Sequence, residues 1–78
     1  MSIEKLSDKK ISRVVLEILE ERPYRLVDLR KVLKDRGYLV SYTRLKKVVT
    51  DLLEEGSIMC FKYGKSVMYI KKEKMNFN

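Results

Sequence analysis

The hydrophobic period of this chain changes once, at Gly56, and that change limits what the chain can fold into. Upstream, apolar residues recur at helical spacing; downstream they fill two short β-rich runs separated by Gly64-Lys65. The stretch ending at the change, SYTRLKKVVTDLLEEG from Ser41 to Gly56, is a complete helical pattern. Leu45, Val48, Val49, Leu52 and Leu53 form one apolar stripe, Ser41 is a good N-cap, and Gly56 stands where a left-handed residue ends a helix. At about 100° per residue the opposite face carries Thr43, Lys47, Thr50 and Glu54, flanked by Arg44, Lys46 and Asp51.

The two ends of this helix differ in charge. Its first two turns are cationic and hydroxyl-bearing, whereas Asp51, Glu54 and Glu55 make its last turns acidic. The helix dipole favours the reverse order by roughly 0.3–1 kcal/mol per charge, so the order costs local stability. Short donors and long cations at a leading end suit entry into a DNA major groove. The solvated face of an ordinary surface helix accounts for the same residues, and Lys9 to Glu21 shows the same inversion without an evident duty. The helix alone does not separate these readings.

The rest of the chain supplies a frame for it. Ser7 or Asp8 caps a first helix with Ile11, Val14, Val15, Ile18 and Leu19 inward, and Ile3 and Leu6 are expected to pack beneath it. Arg22-Pro23 closes that helix, because the residue before proline is pushed out of the helical region. Tyr24-Arg25-Leu26 reads as extended, a candidate for a very short strand. A second helix is expected from Val27 to Arg36, with Leu29, Val32 and Leu33 inward and Gly37 as its stop. Only Gly37-Tyr38-Leu39-Val40 then precedes Ser41, which predicts a helix-turn-helix with Leu39 or Val40 as its apolar plug.

Beyond Gly56, pairing Tyr63 with Ser66 across a type II′ turn at Gly64-Lys65 sets the hairpin register. Phe61 then faces Met68 and Met59 faces Ile70 on one side; Cys60 faces Tyr69 and Lys62 faces Val67 on the other. Both sides are largely apolar, so one is expected to cover the helices and the other to be a candidate partner surface. Cys60 is read as buried filler. Lys62, Tyr63, Lys65 and Ser66 crowd the tip, a slender basic loop suited to a phosphate backbone or a minor groove. The segment after Lys71 reads as a frayed terminus.

Seventy-eight residues predict one domain spanning 1–78, with its core in 9–71 and a tail over 72–78. Eighteen Lys and Arg against 11 Asp and Glu give a net charge of +7, which favours a polyanionic partner such as nucleic acid. The chain has no histidine and one cysteine, so it lacks an intramolecular disulfide, a plausible zinc set, the commonest general base and the usual nucleophile pairs. Neither catalysis, nor a cofactor, nor a metal is expected. No apolar run approaches the roughly 18 residues that span a bilayer, and no signal-peptide core follows Met1, so the cytoplasm is the expected compartment and no membrane partner is expected.

The ordered set — helix, helix-turn-helix, LLEEGSI, strand, glycine turn, strand — resembles the winged helix-turn-helix regulators over about residues 9 to 71. The sharpest segment is LKKVVTDLLEEGSI from Leu45 to Ile58, which looks like a recognition helix running into the first wing strand. The size and Lys-rich makeup are similar to small members from hyperthermophilic archaea and their viruses. The resemblance implies an α+β fold of three helices followed by a two-stranded β-hairpin wing. It also implies a sequence-specific, double-stranded DNA-binding transcriptional regulator, with the helix over 41–55 in the major groove and a short basic wing over 62–66. Thr43, Arg44, Lys46, Lys47 and Thr50 then face the groove, Ser41 and Tyr42 meet the backbone, and Lys62 and Lys65 serve the wing. Two departures stand out: Arg25 replaces the usual Ser or Thr cap before the second helix, and Ser57 replaces the usual apolar residue after the glycine.

The doubly apolar hairpin and the small footprint of one domain suggest a homodimer. Two other readings stay open from sequence. One is a winged-helix protein–protein module binding through Met59, Phe61, Met68 and Ile70; the other is nonspecific DNA coating.

Overall fold

The computed structural model describes residues 7–75; Ile3, Leu6 and residues 76–78 lie outside them. Three helices come first: α1 over Asp8–Leu19, α2 over Leu26–Asp35 and α3 over Tyr42–Glu55. Strands β1 (Ile58–Tyr63) and β2 (Ser66–Lys71) follow as an antiparallel hairpin, and a 3-10 turn spans Lys72–Met75.

Each helix end has a chemical cause. Ser7 caps α1, its hydroxyl accepting from the Lys10 amide at 3.1 Å, and Ser41 caps α3 by accepting from the Arg44 amide at 3.2 Å. Gly37 and Gly56 adopt φ of 92° and 81°, where a side chain would be strained. At both ends the paired bonds of a left-handed helix stop form: Gly37 to Lys34 and Tyr38 to Leu33, then Gly56 to Leu53 and Ser57 to Leu52. Arg25 caps α2 without a side-chain bond to the backbone, as its departure from Ser or Thr implies. Instead its guanidinium reaches forward to the Asp28 carboxylate at 2.8 Å.

The core is the common interior of the three helices. Ile11, Val15, Ile18 and Leu19 of α1 meet Leu29 and Leu33 of α2 and Leu45, Val48 and Val49 of α3, all essentially inaccessible. Two expectations shift by a residue or two. Helix α2 begins at Leu26, which is buried, while Val27 is exposed. Of the two candidate plugs in the helix-turn-helix, Val40 is 5% exposed and Leu39 78%, so Val40 holds the turn to the core. The Arg30 guanidinium donates to the Val40 carbonyl at 3.0 Å and fastens the turn from α2.

The hairpin register is the expected one throughout, from Tyr63 with Ser66 to Met59 with Ile70. Gly64 has φ of 64° and Lys65 does not share the positive sign, as a type II′ turn requires. The Tyr24 strand also forms, as an isolated bridge to Tyr69. Ile58 and Tyr69 pack toward the helices; on the opposite face Met59 is exposed and Phe61 and Met68 are half-buried, but Ile70, expected to be part of a partner surface, is buried.

Two sequence expectations need correction. Cys60 is exposed. It shares a face with the buried Ile58, but at this level of the hairpin it is the opposite residue, Tyr69 of β2, that packs against the core and bridges to Tyr24, and Cys60 on β1 stays open. The tail does not fray over Lys72–Met75, where the 3-10 turn packs against both strands. The Lys72 amide donates to the Ser57 carbonyl at 3.1 Å, and Lys71 pairs with both Glu20 and Glu73.

Candidate nucleic-acid interface

Burial of the Leu45, Val48, Val49 and Leu52 stripe forces the other side of α3 into solvent. Ser41, Tyr42, Thr43, Lys46, Lys47 and Thr50 are all exposed there. None of them has a core role, and Ser41 alone among them is committed to a cap. Lys62 and Lys65 are exposed on the wing, beside Tyr63 at 73% exposure.

Arg44 stands apart from this group. It is half-buried and turned toward the start of α1, where its Nε donates to Asp8 Oδ1 at 3.0 Å. Lys47 Nζ approaches the other oxygen of the same carboxylate at 3.9 Å. Two cations one helical turn apart on α3 therefore share an acid contributed from α1.

On the other flank of α3, Tyr42 and Lys46 join Arg25, Leu26 and Val27 of the α2 start and Ser66, Val67 and Tyr69 of the wing. These residues line an open cleft of about 320 Å³. The leading end of α3 and the wing thus form two walls of one basic-edged surface. Lys62 and Lys65 lie beyond that cleft. Burial pushes the Tyr69 phenol above its usual 10.0, so it stays neutral in the cleft wall.

The basic residues of α2 were not among the candidates from sequence. Arg30, Lys31 and Lys34 line a second cleft of about 430 Å³ with Tyr38, Leu39, Val40 and Ser41, beside the N-terminus of α3. Their signal was present as helical spacing, since Arg30 and Lys34 are four apart on one flank. Arg25, the residue that replaces the usual cap of α2, lines the cleft beside Tyr42 and Lys46. Its bond to Asp28 raises the guanidinium pKa and holds the Asp28 carboxyl below its usual 3.8.

Among the described residues no group of three or more His, Cys, Asp or Glu is placed to hold a metal ion, and no helix is long and apolar enough to cross a membrane.

Three helices, a tight turn ahead of a half-exposed third helix, and a hairpin bridged back to the α1–α2 link define a winged helix-turn-helix fold. No protein-family model matches the sequence, and no curated protein matches it. Solved structures do. A structure described for the DNA recognition and protein interaction domains of HOP2 is 27% identical, with a TM-score of 0.67 over 78% of this chain and 97% of that one. A transcriptional regulator from Clostridium thermocellum is 18% identical, with a TM-score of 0.76 over 91% of this chain and 77% of that one. Dissimilatory sulfite reductase D is 19% identical, with a TM-score of 0.65 over 81% of this chain and 91% of that one.

Proposed function

We propose that this chain binds double-stranded DNA and acts as a sequence-specific transcriptional regulator. The observation that carries the reading is the exposed, core-free face of α3, with Thr43, Lys46 and Lys47 in its leading half and Thr50 just beyond. An α-helix fits the width of a B-DNA major groove, and hydroxyls and amines at its leading end reach base edges and phosphates. In this reading Thr43 and Thr50 read bases or phosphates, and Lys47 and Arg44 reach guanine acceptors. Lys46, Lys62 and Lys65 neutralise phosphates, and Ser41 and Tyr42 meet the backbone at the helix start. The likeness to a DNA recognition domain and to a transcriptional regulator supports it. The acidic residues Asp51, Glu54 and Glu55 repel phosphate, so the helix engages DNA only through the residues ahead of Asp51.

Binding as a homodimer follows from the same reading, because one domain of this size covers a short site. A dimer would set two α3 helices about 34–36 Å apart along one face of the duplex.

A second reading rests on the outer face of the hairpin, where Met59 is 40% exposed beside half-buried Phe61 and Met68. It makes the chain a protein-docking module whose charge is incidental.

Titration of labelled duplex DNA at two salt concentrations separates these readings. The regulator reading expects tight binding at low salt, with a logarithmic slope of about −0.9 per phosphate neutralised. It also expects a K46A/K47A double variant to lose affinity and flatten that slope. No binding to any duplex at low salt would refute it in favour of the docking module. Equal binding to every duplex would leave nonspecific coating.

A further inference from the structure

The acid at the start of α1 has a reach that its local role does not require. An acidic residue in a first helical turn is favourable to the dipole wherever it points. Asp8 nevertheless lies against α3, which begins 34 positions later in the chain, and engages Arg44 at 3.0 Å and Lys47 at 3.9 Å. Both cations belong to the face that meets DNA under the reading above, on which this inference rests. All three side chains are partly open to solvent, at 39% for Arg44, 46% for Asp8 and 70% for Lys47.

We propose that Asp8 is a positioning residue for DNA recognition: it holds Arg44 and Lys47 in one arrangement and penalises phosphate at that edge of the interface. Two physical effects act together. A long guanidinium that is unrestrained can reach whichever phosphate is near, and such contacts carry no sequence information. Anchored through Nε, Arg44 has a fixed direction, so it rewards only a duplex that places base acceptors there. The carboxylate is also a like charge to any phosphate brought against α1, and that repulsion is felt on every sequence. Non-operator DNA, which offers only backbone, is disfavoured more than a site whose bases satisfy Arg44. Specificity therefore rises while total affinity falls.

The test begins by selecting a preferred duplex from a random pool with the wild-type protein. Binding of that duplex and of a scrambled one is then compared for wild type, D8N, R44A and D8N/R44A over a salt series. Asparagine keeps the shape and an acceptor oxygen while removing the charge, and a thermal melt confirms that each variant is folded. D8N is expected to bind the scrambled duplex roughly two- to five-fold more tightly, the range for releasing an exposed ion pair. Its salt slope is expected to steepen by about one, for one further phosphate neutralised. The ratio of selected to scrambled affinity should fall, and in the R44A background D8N should no longer change that ratio.

An unchanged ratio and slope in D8N would overturn the proposal. An equal change with and without Arg44 would also overturn it, since Asp8 would then act through net charge alone. Wild type that binds all duplexes alike removes sequence recognition, and this role with it, while leaving DNA binding standing. Wild type that binds no duplex refutes the DNA reading itself.

Discussion

The backbones of Tyr24 and Tyr69 exchange two hydrogen bonds, Tyr24 N–H to the Tyr69 carbonyl at 3.1 Å and Tyr69 N–H to the Tyr24 carbonyl at 2.8 Å. One residue of the α1–α2 link thereby forms an isolated bridge to β2, and the wing is tied to the helical part along that edge. Arg22 lies over the Tyr24 ring at 4.3 Å and steadies the same residue. Amide hydrogen exchange should show this tie. Tyr24 and Tyr69 are expected to exchange slowly, near the rate of the helical core, and Val67 much faster, because it points its amide the same way from beyond the bridge. Equal rates at Tyr69 and Val67 would mean that the wing is not held there.

The helical core should respond to truncation far more than the exposed face of α3. Leu45 is fully buried, and Leu45→Ala is expected to cost about 2–5 kcal/mol. In a domain of this size that is a large share of total stability. Lys46→Ala, one residue on and exposed, should stay within about 0.5 kcal/mol. Denaturant midpoints for the two variants check this. A Lys46→Ala loss as large as that of Leu45→Ala would contradict the assignment of faces.

The cap at the start of α3 sets the end of the helix that carries the candidate contacts. Ser41→Ala removes the acceptor for the Arg44 amide and is expected to cost about 0.5–2 kcal/mol. Ser41→Asp should keep the cap and, by adding a negative charge, weaken duplex binding. Denaturation and DNA titration of both variants separate the two roles.

Acid should loosen the entry to α2 before the core fails. The Asp28 carboxyl is held below its usual 3.8, first by the hydrogen bond from Arg25. A depressed carboxyl contributes stability that is present above its unfolded pKa and is lost as pH falls through the folded value. Melting temperature should therefore decline as pH drops below 3.8, and Asp28→Asn should remove part of that decline. Lys71 has the opposite sign. Its bonds to Glu20 and then Glu73 raise its pKa above 10.5, so that contribution persists at neutral pH and is lost only in strong alkali.

The parts of this fold that were legible in the sequence are those fixed by local rules. The hairpin register follows from a two-residue glycine loop, because Gly64-Lys65 leaves one way to pair Tyr63 with Ser66. The limits of α3 follow from Ser41 and Gly56, which act within a turn of their own positions. What was not legible depends on the third dimension. The exposure of Cys60 depends on β2 rather than β1 lying against the helices at that level, which alternation along a strand does not encode. The Arg44–Asp8 pair joins residues 36 apart that meet only because α1 and α3 cross. The basic flank of α2 was readable as helical spacing, but its nearness to Ser41 depends on the angle that Val40 and Arg30 give the turn.

In the DNA-binding reading, the stretch of α3 ahead of Asp51 and the wing tip form the surface that meets the duplex. Amide chemical-shift mapping of the labelled protein, titrated with duplex DNA at low salt, tests it residue by residue. The largest shifts are expected within Ser41 to Thr50 and Lys62 to Ser66, with Met59, Phe61 and Met68 unmoved. Shifts confined to that outer hairpin face, or none at saturating DNA, would contradict it.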